Sequence, residues 1–279
     1  MGKLYVVATP IGNLEDISAR ALRVLSEVEF IAAEDTRRTG ILLSHFGLST
    51  PMRPYHEHNE EAVAQQIVEA IEQDRDVALV SDAGTPQIAD PGFRLVRIAH
   101  QRGVTVVPIP GASAVTALLS VSGNASHSFV FEGFLSSKAG QRATALQNLA
   151  QEQRSLLFYE SPHRILASLK AMSQAFGENR ELTLARELTK LHEQIVLCTL
   201  RDAVRMLEDG QIPTRGEFVV LVSGSATNPM AGMDHRLMME ELLRELPPGK
   251  AADIAAKLTG ESRKDMYRIA LALKQEAPG

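Results

Sequence analysis

Apolar residues follow two rhythms along this chain, and the switches between them outline its elements. Leu4-Tyr5-Val6-Val7-Ala8, Phe30-Ile31-Ala32-Ala33, Val77-Ala78-Leu79-Val80 and Thr105-Val106-Val107-Pro108-Ile109 are short apolar runs. They are too brief for helices and lack the alternation of a half-exposed strand, so they predict strands covered on both faces. Between them, helices are predicted from Ser18 to Glu27 and from Asn59 to Gln73, the latter with Ala62, Ile67, Ala70 and Ile71 on one face. A small-residue helix from Ser113 to Val121 closes this part. Strands alternating with helices imply a mostly parallel sheet, and the fold class is α/β.

The pattern restarts after Gly123 with the strand Phe129 to Gly133, a charged helix Lys138 to Glu152, the strand Leu156 to Tyr159 and a helix Pro162 to Phe176. The runs Leu182 to Ala185, Glu193 to Leu200 and Glu217 to Val222 are strand-like with wider spacing, which predicts mixed strand directions. Ser225-Ala226-Thr227-Asn228-Pro229 reads as a linker. Helical patterns follow over Asp234 to Leu246, Lys250 to Leu258 and Arg263 to Lys274; a turn at Thr259-Gly260-Glu261-Ser262, with Ser262 as N-cap, makes the last two resemble a helix-turn-helix. The expected division is an α/β domain over 1–122, a second over 123–225 and a helical domain over 233–279.

Composition narrows the function classes. At 44% apolar and 23% charged, 279 residues are enough for this many domains. The one cysteine, Cys198, sits in an apolar run and is expected to be a core residue, which excludes a disulfide framework or a Cys/His zinc site and fits a reducing cytoplasm. The chain start lacks a signal-peptide pattern, and no uncharged apolar run approaches the ~20 residues of a membrane span. A net charge of −5 argues against gripping nucleic acid over the whole surface. The stretch Lys250 to Lys274 differs: six bases against three acids leave a local surplus of three positive charges, suited to RNA backbone.

Three loops after strands carry the chemistry, since open α/β sheets bind ligands beyond strand carboxyl ends. The first, Ala8 to Asp16, is neither a dinucleotide fingerprint nor a Walker loop, and also serves as a plain strand-to-helix turn. The second, Ser81 to Gly92, packs two acids, two prolines and two glycines into twelve positions, more than a plain connection needs. Its carboxylates suit ribose or amino groups, and its glycines let a ligand approach the backbone. The third, Pro108 to Ala114, opens a helix whose free N–H groups suit a carboxylate; a Pro-Gly turn with Ser113 as N-cap accounts for it equally.

The Asp82-Ala83-Gly84 loop, Pro110-Gly111-Ala112-Ser113 and Phe158-Tyr159-Glu160, in this order, resemble the tetrapyrrole methylase superfamily, two-domain enzymes holding S-adenosylmethionine in a cleft. Porphyrin-modifying members carry a glycine-dense first loop ending in Gly-Asp-Pro. Here Thr9-Pro10-Ile11-Gly12-Asn13-Leu14, Ala33-Glu34-Asp35-Thr36-Arg37, Tyr159-Glu160-Ser161-Pro162-His163-Arg164 and Arg186-Glu187-Leu188-Thr189-Lys190 instead resemble the ribosomal RNA small-subunit methyltransferase I family. That resemblance implies a dimeric enzyme with a helix-turn-helix-like C-terminal domain. It would methylate the ribose 2′-oxygen of a cytidine in the decoding region of 16S RNA, with 16S RNA or the small ribosomal subunit as partner. It implies cofactor contacts at Pro10, Asp82, Gly84, Ile88, Ala89, Ser113, Ala114, Glu160, Ala185 and Glu217.

A ribose hydroxyl is a poor nucleophile until its proton is taken or its charge is stabilised. Residue type and strand-end placement nominate Asp35, Arg37, His163, Arg186 and Lys190: Asp35 or His163 to take the proton, the three bases to hold phosphate or alkoxide. No metal is expected. The rival readings are a tetrapyrrole C-methyltransferase, which leaves the C-terminal helices without a job, and a cofactor-sensing nucleic-acid binder without turnover.

Overall fold

The computed structural model describes residues 1–56, 59–124, 128–225 and 235–276. In the first part, β1 (Lys3–Val7), β2 (Phe30–Ala33), β3 (Met52–Pro54), β4 (Val77–Val80) and β5 (Thr105–Ile109) form one sheet in the order β3-β2-β4-β1-β5. Every neighbouring pair is parallel, so the predicted parallel sheet is what forms. Pro108 is tolerated because β5 is an edge strand and needs no amide on its outer side. Helices α3 (Glu60–Glu72) and α4 (Phe93–Gln101) cover one face, burying Ile67, Ile71 and Leu95 against Leu4, Phe30 and Leu79. Helices α1 (Ala19–Glu27) and α2 (Thr36–His45) cover the other, with Leu25 and Leu43 against Val7, Ile31 and Val80.

The sequence pattern left α2, β3 and α4 unassigned, together with the helix Leu200–Glu208 of the second half. Helix α2 begins Thr-Arg-Arg-Thr-Gly and buries only Thr39, Leu42 and Leu43, too few apolar positions to show a period; Asp35 starts it by accepting from the Arg37 amide. Helix α4 buries only Leu95 and Ala99.

The second sheet contains β6 (Phe129–Phe134), β7 (Ser155–Glu160), β8 (Glu181–Arg186), β9 (Gln194–Thr199) and β10 (Phe218–Val222), ordered β6-β7-β10-β8-β9. Only β6 and β7 run parallel, matching the expected mixture of directions. Helices α6 (Ala139–Asn148), α7 (Ile165–Phe176) and α8 (Leu200–Glu208) pack one face around Phe158, Leu169 and Val220. Cys198 lies half-buried against that core, where burial pushes its thiol up to about 11. The other face is covered by α5 (Ala114–Val121), whose Val115 and Leu118 meet Leu157, Val219 and Leu221. A helix of the first half thus supplies a layer of the second, which holds the two sheets in a fixed relation.

Helices α9 (His235–Glu245), α10 (Pro248–Thr259) and α11 (Arg263–Glu276) form a small unit around Met239, Ala252, Met266 and Ala270. Gly260 closes α10 in the left-handed conformation at φ +75°. Ser262 Oγ accepts from the Asp265 amide at 3.1 Å, the cap read from the sequence. Arg263 pairs with Asp253 and Arg268 with Asp265, so two of the six bases there are tied to acids of the same unit. Most of the linker, residues 226–229, and residues 233–234 and 277–279 of the helical domain lie outside the described residues. Among the described residues, no helix is long and apolar enough to cross a membrane.

Candidate active site

The loops after β1, β4 and β5 are knitted into one wall. Thr9 and Gly84 exchange backbone hydrogen bonds at 2.9 and 3.0 Å. Thr9 Oγ1 donates to Ser81 O at 3.3 Å, and Thr85 Oγ1 donates to Ala112 O at 3.3 Å. Gly84 suits this position because its φ is +81°, and a Cβ there would also stand a tight 3.3 Å from Ile11 Cγ2. In the same loop Gln87 and Ala89, both non-glycine, hold φ of +72° and +67°. Strain of this kind concentrates where a backbone must present itself to a ligand.

Against this wall stand the ends of β7 and β10, enclosing a cavity of about 300 Å3. Gly84, Ile88, Ala89, Ser113, Ala114, Glu160 and Glu217, seven of the expected cofactor contacts, line it. Ser113 occupies the N-cap position of α5, yet its side chain makes no capping bond. Pro10 and Asp82 line a second cavity of about 250 Å3 instead. Ile11, Ala83 and Glu217 belong to both cavities and form the partition between them. Ala185 is fully buried in the apolar layer with Ile11 and Leu188 and lines neither. A wider groove of about 570 Å3 is lined by helical-domain residues alone.

The first cavity carries Asp90, Glu160 and Glu217, and among the described residues no lysine, arginine or histidine lines it. Glu160 is 3% exposed and fully engaged, pairing with Arg164 at 2.9 Å and accepting from the Ser161 amide and the Ser168 hydroxyl. Asp90 is pushed up to about 6 by burial and then by the charge of Glu34. Burial, with Asp90 beside it, pushes Tyr159 up to about 12. The sequence offered nothing to separate Asp90 from Asp82 in the same loop, and Tyr159 read as a strand residue; only the cavity distinguishes them.

Behind the second cavity, Glu34 accepts from the Asp82 amide at 3.1 Å, and Asp82 Oδ1 accepts from the Asp35 amide at 3.0 Å. Arg38 pairs with Asp82 Oδ2 at 3.2 Å. Burial first, with Asp82 and Asp35 nearby, raises Glu34 above the ordinary carboxylate range.

Of the five residues nominated for RNA chemistry, Lys190 alone lines a cavity, the second one, with Nζ 2.9 Å from both Glu187 and Glu217. The bonds from Glu187 and Glu217 raise the Lys190 ammonium against the burial that opposes them. Asp35 grips its neighbour Arg37 through both carboxylate oxygens, and that guanidinium holds it far below the usual carboxylate range. An acid so held is a poor proton acceptor. The Arg37 side chain is 89% exposed, and His163 is exposed in the turn after β7. Arg186 donates to the carbonyls of Arg215 and His192 at 2.6 and 3.0 Å, bracing two loops. Strand-end position brought these backbones near the cleft, while local geometry aimed the other four side chains elsewhere, Asp35 and Arg37 at each other and His163 and Arg186 away from both cavities.

Residues 3–204 match the tetrapyrrole (corrin/porphyrin) methylases, and residues 231–274 match the RsmI C-terminal HTH domain. The ribosomal RNA small subunit methyltransferase I of Pseudomonas aeruginosa is 48% identical, covering 97% of this chain and 97% of its own. The chain belongs to the ribosomal RNA small subunit methyltransferase I family. Relatives of that name from Haemophilus influenzae, 46% identical over 97% of each chain, and Synechocystis, 42% identical over 99% of this chain and 100% of the other, show that the likeness includes the helical C-terminal unit. Among solved structures, the methyltransferase CobJ superposes with a TM-score of 0.61 at 21% identity over 81% of this chain and 96% of its own. A Thermus thermophilus uroporphyrin-III C-methyltransferase complexed with S-adenyl homocysteine gives 0.56 at 19%, over 79% and 97%. These two resemblances are of fold. Both end before the whole chain is covered, whereas the methyltransferase I relatives span it.

Proposed function

We propose that this protein moves the methyl group of S-adenosylmethionine to the ribose 2′-oxygen of a cytidine in 16S ribosomal RNA. The observation that carries this is the end-to-end likeness to ribosomal RNA small subunit methyltransferases I, helical unit included. The tetrapyrrole alternative rests on a likeness of fold and leaves α9 to α11 unused.

The first cavity suits the donor chemically. Ile11, Ile88 and Val219 offer apolar surface for a purine, and the N-terminus of α5 at Ser113 and Ala114 offers amides to a carboxylate. Asp90 brings acid to a cavity that no base lines among the described residues, which favours a ligand bearing an amino group and a sulfonium and disfavours phosphates. When bound, the sulfonium supplies a methyl group already activated for transfer. What the chain must add is an in-line approach and a cleft from which water is kept. Lys190 holds positive charge where the 2′-oxygen loses its proton, and Glu187 and Glu217 hold Lys190. Arg37, His163 and Arg186 are assigned to the RNA path outside the cavities, not to the chemistry.

Residues 1–122 and 123–225 form the two walls in this reading, and 233–279 dock RNA backbone. The working form is a homodimer, for which exposed apolar side chains such as Val121 and Leu197, 51% and 50% exposed, provide contact surface. The test offers labelled S-adenosylmethionine with small ribosomal subunits, free 16S RNA and a tetrapyrrole, and maps the product. Label on a cytidine ribose is expected; label on the tetrapyrrole, or none on RNA, refutes the proposal.

A further inference from the structure

Strand β6 carries one residue more than β7 can pair. Val130 lies opposite Leu156, Phe131 opposite Leu157, then Gly133 opposite Phe158 and Phe134 opposite Tyr159, so Glu132 is skipped. Leu156 and Phe158 belong to the core under α6 to α8, whereas Leu157 belongs to the layer under α5, with Tyr159 packed against it. In an unbroken ladder Phe134 would fall beside Glu160, on the side where Ser168 of α7 donates to that carboxylate. The extra residue turns Phe134 over, onto the face of the cleft. Gly133 permits the turn with a φ of +64°. Such bulges are rare in parallel pairs and recur beside binding sites, where they re-aim a side chain.

The side chain so turned has a fixed place and little cover. Phe134 lines the cleft beside Tyr159, makes a T-shaped contact with that ring at 5.6 Å between centroids, and is 54% exposed. Tyr159 in turn meets Phe131 at 5.0 Å, so three aromatic rings follow one another here. Leu135, the next residue, is buried in the core, and its carbonyl accepts from Arg164 Nη1 at 3.3 Å. Arg142 Nη1 donates to Ser136 O at 3.2 Å. The chain is therefore pinned just beyond the ring, and the exposure of Phe134 is built in.

We infer that Phe134 is the surface on which an unpaired base of the substrate RNA stacks, at or beside the nucleotide to be methylated. The inference rests on the RNA reading above and adds a residue that positions the acceptor strand. Single-stranded RNA is held by stacking its bases on aromatic rings and by polar side chains along its phosphates. The loops of the first half hold the donor inside the cleft, whereas a ring more than half exposed at the rim is met by what arrives from solvent. The loops after β6 and β7 also present Lys138 and His163, both exposed, as donors to phosphate. A second copy of this chain suits the ring less well, because it would close the rim by which a polynucleotide enters.

Phe134→Ala should reduce kcat/KM on small ribosomal subunits about tenfold or more, with the Kd for S-adenosylmethionine and the mass in solution left at their wild-type values. Phe134→Tyr should keep turnover near wild type. Phe134→Leu, apolar but without a flat ring, should fall with Phe134→Ala, whereas leucine would satisfy a merely structural role. A photoreactive benzoylphenylalanine at position 134 should crosslink within a few nucleotides of the methylated position. Wild-type turnover by Phe134→Ala or Phe134→Leu, weakened donor binding, or dissociation of the variant into single chains overturns the inference. If the wild-type protein moves no methyl to any RNA, the proposed reaction fails instead, and the two failures are distinguished in one assay series.

Discussion

The aliphatic stem of Lys190, from the second half of the molecule, lies against the Cα of Gly12, from the first: a Cβ on Gly12 would stand 2.3 Å from Lys190 Cγ. The missing side chain of one residue is the space in which the other reaches Glu217. A contact so close couples the two walls of the cleft.

Gly12→Ala should therefore displace Lys190 and break its bonds to Glu187 and Glu217. We expect kcat on small subunits to fall about tenfold or more while donor affinity changes little, the signature of a group acting in the transition state. Steady-state kinetics beside calorimetry checks it; unchanged kcat would show that Lys190 has no part in the step.

Gly84→Ala meets both a positive φ and the Ile11 methyl. It should destabilise the protein by about 1–2 kcal/mol and weaken S-adenosylmethionine binding, read by thermal unfolding and calorimetry.

Asp90 supplies a pH prediction. Its folded value of about 6 lies above its ordinary 3.8, so the folded state binds that proton more tightly than the unfolded chain does. The proton-linked stabilisation is full below about pH 4 and is lost as pH rises through 6. Asp90→Asn should be more stable than wild type above pH 6, the gain vanishing toward pH 4. Donor binding runs the other way: wild-type affinity for S-adenosylmethionine should weaken as pH falls through 6, and Asp90→Asn should be weaker and flat. Unfolding midpoints and Kd values across pH 4 to 8 read both.

Glu160→Ala removes the acceptor of Ser168 and of the Ser161 amide and the ion-pair partner of Arg164, which keeps Ser161 Oγ and Leu135 O. A loss of about 3 kcal/mol is expected in denaturant unfolding, with Glu160→Gln recovering part of it.

Removing residues 233–279 should weaken RNA binding and flatten its salt dependence while S-adenosylmethionine binding persists, because Lys250, Lys257, Lys264 and Lys274 go with that segment. Filter binding over a salt series decides it; equal RNA affinity after truncation would remove this unit from the interface.

Much of the fold could be read from the chain because its signals are local. Val77 to Val80 and Thr105 to Ile109 are strands to the residue, and Ser262 caps the helix it was expected to cap. Of the missed elements, α2 and β3 bury few side chains, while α4 and α8 are short amphipathic helices whose place is set by packing on strands far along the chain. For the site, motif position placed Gly84, Ile88, Ala89, Ser113, Ala114, Glu160 and Glu217 at one cavity. It did not separate Pro10 and Asp82, which face the other.

By itself the sequence determined most of the order of strands and helices, the acid- and glycine-rich loop after β4 and the basic C-terminal helices, since each depends on neighbours a few residues apart. Only the tertiary structure decided that Asp90 is half-buried near Glu34, that Lys190 crosses to Gly12, and that Asp82 is held by Arg38 and the Asp35 amide. The physical reason is one of range: backbone periodicity is written in consecutive residues, but the charge state and direction of a side chain are set by whichever groups the fold brings against it.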